Sequence, residues 1–261
     1  VPQLSSSLPD PLPRILLPLL ADLAATLGPD LLGVYLYGSA VAGGFEPDAS
    51  DLDLAIVVGS EVDAIDRGAF DGLIERLAAR EPEWADRLDL VFVGQATLAA
   101  FREGGPLLSI SHDEPLRRYD DADDWLPTWF LVRGGRTIAG PPVESLVPPI
   151  TLAEFTAAVA NDGDRLLAGL AGEARPGVVA YTVLTVARVA CLLATHRVVP
   201  KQDAAAWLAV RDPGARETLE ACLRVRASGG RNAFTLAESR AAIELAERLG
   251  AQIRLERPTR G

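Results

Sequence analysis

The 261-residue sequence predicts a two-part α/β (α+β) chain. A small mixed sheet with flanking helices is expected over residues 1–149, and an all-helical bundle over 150–261. Three observations predict this. Short β-branched and aromatic runs at 34–37, 51–58 and 88–93 alternate with helix-period segments in the first half. Gly140-Pro141-Pro142 and Pro148-Pro149 then break the pattern. From Thr151 onward the apolar residues recur with helical spacing alone. Mixed elements followed by helices only make a two-domain arrangement.

Element by element, a Pro- and Ser-rich start gives way to an amphipathic helix over 15–27, with Pro18 tolerable only near its first turn. Val34-Tyr35-Leu36-Tyr37 reads as a strand that stops at Gly38, and residues 40–44 as a short helix or tight loop. The next strand runs over 51–58, a helix over 61–80, and a third strand over 88–93. Residues 96–102 read as a short helix and 107–111 as a further strand. The acidic stretch Asp120 to Asp124 is expected to cap a helix over 125–133, since carboxylates favour that end. Five helices follow, over about 151–171, 177–196, 201–210, 214–227 and 235–255.

The chemistry-bearing motif lies between the first two strands. Gly38-Ser39 is followed twelve positions later by Asp51-Leu52-Asp53. Gly38 lets the backbone approach a phosphate with no Cβ in the way, Ser39 adds a hydroxyl, and the first N–H groups after them can face an anion. Side chains alternate along a strand, so Asp51 and Asp53 share one face while Leu52, Leu54 and Ile56 bury the other. Two carboxylates side by side repel unless a cation sits between them. A divalent metal gripping a nucleoside triphosphate satisfies that requirement. Asp89 interrupts the third strand, where an acid is costly unless metal-bound or hydrogen-bonded. It would complete a three-carboxylate set, as a metal ligand or as the base for an attacking hydroxyl. Asp86 and Glu83, just upstream, read as solvated loop charges.

Composition excludes several classes. No uninterrupted apolar run reaches membrane-spanning length and no basic leader opens the chain, so the expectation is a cytoplasmic protein without membrane contact. Cys191 and Cys222 read as small buried hydrophobes, and His112 and His196 are too few for a zinc site. Net charge is −11, and the two basic clusters (Arg117-Arg118, and Arg224 with Arg226 and Arg231) do not make a nucleic-acid surface. An acidic balance suits a polycationic small molecule. A monomer is expected.

The Gly38-Ser39, Asp51-Leu52-Asp53 and Asp89 pattern resembles the nucleotidyltransferase superfamily that includes DNA polymerase β. Within it, Leu36 to Val41 with Gly43-Gly44 is similar to the aminoglycoside 3″-adenylyltransferases, the streptomycin and spectinomycin resistance enzymes. The segments at 138–142, 183–188 and 199–207 continue the resemblance past Trp207. It implies an Mg²⁺-dependent transfer of AMP from ATP to a hydroxyl of a small molecule. By the same resemblance Asp51, Asp53 and Asp89 are the catalytic and metal-binding residues, and Gly38, Ser39 and Ser50 position the nucleotide. Arg188 and Lys201, thirteen residues apart, match the basic residues that those enzymes direct onto the ATP phosphates. The residues alone leave Arg188 another partner in Asp162 or Asp164.

The acceptor side departs from the streptomycin-modifying pattern. Where those relatives place acids ahead of the Arg-bearing helix, this chain has Ala174 and Val178, with Glu173 nearby. Their third carboxylate is a Glu at the position of Asp89. Trp125 or Trp129 could wall a sugar, and the acids at 120–124 could meet a cationic acceptor. Two other functions stay open at this level: nucleotidyl transfer to a protein or another metabolite, and a nucleotide-binding module without turnover.

Overall fold

The computed structural model describes residues 8–85, 87–111, 114–170 and 175–256. His112, Asp86, Glu173 and Ala174 lie outside the described residues. Contacts divide the chain into two compact units, Val1–Ile150 and Thr151–Gly261.

The first unit opens with α1 (Leu12–Leu27), which leads into β1 (Leu31–Leu36). The helix begins one turn earlier than its periodicity predicts, so Pro18 lies inside it. Proline there leaves the Arg14 carbonyl without its helical N–H. The stripe of buried Leu12, Ile15, Leu16, Leu19, Leu23 and Leu27 holds the helix down regardless. There follow α2 (Ser39–Ala42), β2 (Leu52–Val58), α3 (Arg67–Arg80), α4 (Pro82–Ala85), β3 (Leu88–Gly94) and α5 (Gln95–Ala99). Then come β4 (Leu107–Ser111), β5 (Glu114–Tyr119), α6 (Leu126–Arg133) and β6 (Arg136–Ala139). The third helix starts at 67, not 61, because Asp66 caps it, accepting the Gly68 N–H at 3.0 Å.

The strands form one mixed sheet in the order β5-β4-β3-β2-β1-β6. β2 and β3 pair in parallel; the other neighbours are antiparallel. Alternation divides the central strands between two cores. Leu52, Leu54 and Ile56 join α1 and the α3–α4 side with Leu88, Leu90 and Phe92. Ala55, Val57, Val91 and Val93 face Leu98, Phe101, Trp129 and Val132. Both strands are therefore covered on both faces, which accounts for their nearly continuous apolar sequence.

Two strands escape the sequence reading, and both are edges. β5 carries Pro115, which demotes a run as strand but is tolerated at an edge. β6 has four residues. Just beyond it Gly140, at φ +96°, lies so close to β1 that a Cβ would stand 2.3 Å from the Leu32 carbonyl oxygen. The buried Tyr35 hydroxyl donates to the Pro141 carbonyl at 3.0 Å. The acidic stretch does not cap α6, whose N-cap is Trp125 with no side-chain cap bond. It hangs on Gly105 instead, through Gly105 N–H to Asp120 O (3.1 Å) and Ala122 N–H to Gly105 O (3.2 Å).

The second unit consists of α7 (Leu152–Gly169), α8 (Pro176–Thr195), α9 (Lys201–Arg211), α10 (Arg216–Ala227) and α11 (Leu236–Glu256). Thr151 and Glu154 form a reciprocal capping box at the start of α7. Val183, Leu184, Val186 and Ala187 of α8 sit at the centre of the core with Ala205, Leu219, Cys222 and Ala246. Both cysteines are buried and free, and burial pushes the Cys222 thiol up to about 12. By length and composition alone the stretches Leu12–Asp30 and Pro176–Thr195 would suffice to cross a membrane, although Arg14, Asp22 and Asp30 interrupt the first apolar run and Arg188 the second. Each also carries buried residues packed into the core of its own unit.

Candidate active site

Backbone register sets two of the predicted carboxylates side by side. In the parallel β2–β3 pair Asp53 stands directly opposite Asp89, as Leu52 does Leu88. Asp51, immediately before β2, and Asp53 are on the face of Ala55 and Val57; Asp89 is on the face of Val91 and Val93. Asp51 is exposed, whereas Asp53 and Asp89 are partly buried. Burial, with the Asp51 carboxylate adding to it, pushes Asp89 up to about 6. That places Asp51 and Asp89 in one electrostatic neighbourhood.

The Gly38 bend closes on the same group. Tyr37 N–H donates to the Asp53 carbonyl at 3.1 Å, which carries the β1–β2 ladder to the bend. Gly38 has φ +68° and ψ −146°, a conformation open to glycine. A Cβ on it would lie 2.0 Å from Asp53 Oδ2 and 2.6 Å from its Cγ. The position therefore needs glycine twice, for its backbone and for the carboxylate pressed against it. Ser39 begins α2, and the Gly38 carbonyl accepts from Val41 (3.2 Å) and Ala42 (3.0 Å).

Among the described residues no three Asp, Glu, His or Cys side chains stand grouped closely enough to hold a metal ion as they are. The donor set itself, three carboxylates at one strand end beside a backbone bend, is the hard-oxygen chemistry that suits Mg²⁺. Asp53, held against Gly38, supplies the fixed member. On those grounds the residues present fit a divalent ion.

Ser50 holds the local turn. It is buried, its Oγ accepts the Glu46 N–H at 2.9 Å, and its own N–H donates to the Glu46 carbonyl at 2.8 Å. It braces the loop ahead of Asp51. Arg87, which sequence reasoning did not single out, donates from its guanidinium to the Ser50 carbonyl and lies 4.0 Å over the Trp84 ring. The one signal for it was an arginine two positions before Asp89.

Trp129 belongs to the core. It is fully buried, with its indole N–H donating to the Ala122 carbonyl at 2.8 Å. Trp125 is partly buried and meets Tyr119 edge-on at 5.4 Å. Arg118 takes up Asp63 (2.6 and 2.9 Å) and Asp120. That leaves the acidic stretch already engaged at its first residue.

In the second unit Arg188 is partly buried on α8 and Lys201 is the first residue of α9. Asp162 bonds Arg165 at 2.8 Å and Asp164 bonds Arg254 at 3.0 Å. The Lys201 ammonium sits 3.7 Å from the centre of the Tyr181 ring. Tyr181 precedes Arg188 by two helical turns, so the ring and both cations gather on one face of α8.

Comparison with known proteins agrees with this layout. Residues 20–111 match the nucleotidyltransferase domain family. Residues 145–251 match the family described as aminoglycoside adenylyltransferase, C-terminal domain. A spectinomycin 9-adenylyltransferase of Campylobacter jejuni is 24% identical over 194 residues, covering 70% of this chain and 72% of its own. A spectinomycin adenyltransferase of Enterococcus faecialis, solved with ATP and spectinomycin, shares the fold at a TM-score of 0.72. That likeness covers 92% of this chain and 98% of the other, at 18% identity. The chain is an aminoglycoside-adenylyltransferase-like member of the nucleotidyltransferase superfamily, a nucleotidyltransferase domain followed by the C-terminal domain of those enzymes.

Proposed function

We propose that the chain transfers AMP from ATP to a hydroxyl of an aminoglycoside-type antibiotic, spectinomycin in particular, with Mg²⁺ as cofactor. The observation that carries the reading is Asp53 registered against Asp89, with Gly38 pressed on Asp53. The spectinomycin relatives support the acceptor class. The absence of an acid at Val178 supports spectinomycin over streptomycin.

Asp51 and Asp53 would hold the metal, which when bound neutralises triphosphate charge and polarises the α-phosphate. Gly38 and Ser39 offer backbone and hydroxyl donors to the phosphates. Asp89, beside Asp53, receives the proton of the attacking hydroxyl, or adds a third ligand. Arg188 and Lys201 stabilise charge as it spreads over the departing pyrophosphate. The attacking oxygen forms its bond to the α-phosphorus as the bond to the bridging oxygen breaks.

The test is pyrophosphate release from ATP across a panel of aminoglycosides, with Asp51→Ala alongside. Turnover with spectinomycin, none with streptomycin, and a loss of at least about a hundredfold in Asp51→Ala are expected. Unchanged turnover in Asp51→Ala would overturn the mechanism. ATP binding without transfer to any antibiotic would turn the reading to another acceptor or to a non-catalytic module.

A further inference from the structure

The Gly38 bend and the Asp51 strand are joined by residues 43–50, which form no helix or strand. A loop of this kind is free to move unless tied down, yet it must deliver Asp51 to a fixed point beside Asp53 and Asp89. One residue ties it twice. The main-chain carbonyl of Arg87 accepts the Leu52 N–H at 2.8 Å. The Arg87 guanidinium donates to the Ser50 carbonyl. The residues on either side of Asp51 are thus both bonded to Arg87, and Arg87 stands two positions before Asp89 on the adjoining strand.

The guanidinium is itself held. It stacks 4.0 Å over Trp84, which is 1% exposed. The opposite end of the loop leans on the same ring, because Phe45 lies parallel to Trp84 with centroids 6.3 Å apart and 8° between planes. The Ser50–Glu46 bonds close the turn between these two holds.

We propose that Arg87 is the positioning residue of the active centre, setting Asp51 against Asp89 through its paired bonds to Ser50 and Leu52. The proposal rests on the reading of Asp51, Asp53 and Asp89 as the working carboxylates. Arginine suits the task because its planar fork can stack on Trp84 and donate at its edge at once; lysine can do one or the other. Residues one step behind metal ligands typically cost 10- to 100-fold in metal affinity or activity when replaced.

The experiment compares wild type, Arg87→Met, Arg87→Lys and Asp53→Asn in the full chain. It reads amide hydrogen exchange at residues 44–52 in the metal-free protein, the Mg²⁺ midpoint of the thermal shift, and turnover. Arg87→Met keeps the bulk over Trp84 and removes the donor. It should exchange faster at 44–52 with the rest of the sheet unchanged, raise the Mg²⁺ midpoint about tenfold or more, and lower kcat in parallel. Arg87→Lys should fall between the two, and serves as the test if Arg87→Met does not fold. Wild-type exchange and a wild-type Mg²⁺ midpoint in the Arg87 variants, with Asp53→Asn inactive, would overturn the proposal and leave the carboxylate reading standing. Full turnover in Asp53→Asn would remove the active centre, and the proposal with it.

Discussion

At the scale of single residues, Gly38 and Asp53 act as one unit. The carboxylate occupies the space a side chain on Gly38 would need, with Oδ2 2.0 Å from that position. Gly38→Ala therefore meets two costs, about 1–3 kcal/mol of backbone strain and displacement of Asp53. Turnover should fall at least about a hundredfold, since a 1 Å misplacement in a reacting array has that effect. The melting temperature should drop only modestly; loss of turnover without unfolding is the discriminating result, and retained turnover would show that Asp53 tolerates the shift. Asp89 gives a second prediction, in the metal-free protein. Burial and the Asp51 charge raise its folded pKa to about 6, against about 3.9 for an unfolded Asp. The folded state then binds the proton more tightly, so the stability it contributes is whole below about pH 4 and lost as pH rises through 6. Asp89→Asn removes that loss. Urea unfolding in a chelator should find the variant more stable than wild type at pH 8, by no more than about 3 kcal/mol, and the gap closed at pH 4. Added Mg²⁺ should restore wild type at pH 8 and do less for the variant. A gap that stays constant between pH 4 and pH 8 would count against a raised Asp89.

At the scale of elements, α8 shows what helical spacing can and cannot deliver. Arg188 stands out in sequence as a cation in an apolar helix, and Lys201 as the residue after Pro200. Tyr181, two turns ahead of Arg188, went unnoticed because aromatic residues in helices are ordinary core material. In the structure it is half exposed and carries the Lys201 ammonium at 3.7 Å. A cation–π contact at an exposed site is worth about 0.5–1 kcal/mol, so Tyr181→Ala should raise the KM for ATP about two- to fivefold, and Tyr181→Phe should restore it. An unchanged KM in Tyr181→Ala would mean the ring does not set the lysine for phosphate. The same distinction runs through the whole sheet. β2 and β3 were legible because both faces are buried and their apolar runs are unbroken, and Asp53 and Asp89 were legible as interruptions of those runs. β5 and β6 were not, because edge strands tolerate proline and brevity. Ser50 is expected at the nucleotide from motif position, and the bond its Oγ accepts from the Glu46 N–H was not foreseen; nothing in a sequence says which way a loop hydroxyl turns. Arg87 was invisible for the same reason, since its role depends on a carbonyl 37 residues away.

At the scale of the whole molecule, the net charge of −11 conceals an asymmetry. Residues 1–150 carry 24 Asp and Glu against 10 Arg, a net of −14, while residues 151–261 carry 12 acids against 15 Lys and Arg, a net of +3. The acidity read from composition as favouring a cationic acceptor thus belongs to the unit with the carboxylate set. The unit holding Arg188 and Lys201 is the basic one, which suits the phosphate contacts proposed for them. A field of this kind acts over distances set by salt: screening shortens from about 10 Å at 0.1 M to about 3 Å at 1 M. Binding of an amine-bearing acceptor should therefore weaken between those concentrations, with Kd rising about three- to tenfold as long-range attraction is lost. An uncharged, N-acylated form of the same acceptor should lose far less. Isothermal titration of both compounds at the two salt concentrations measures the difference. Equal salt dependence for the charged and the uncharged acceptor would show that the acidic unit plays no part in drawing the substrate, leaving its −14 to solubility alone.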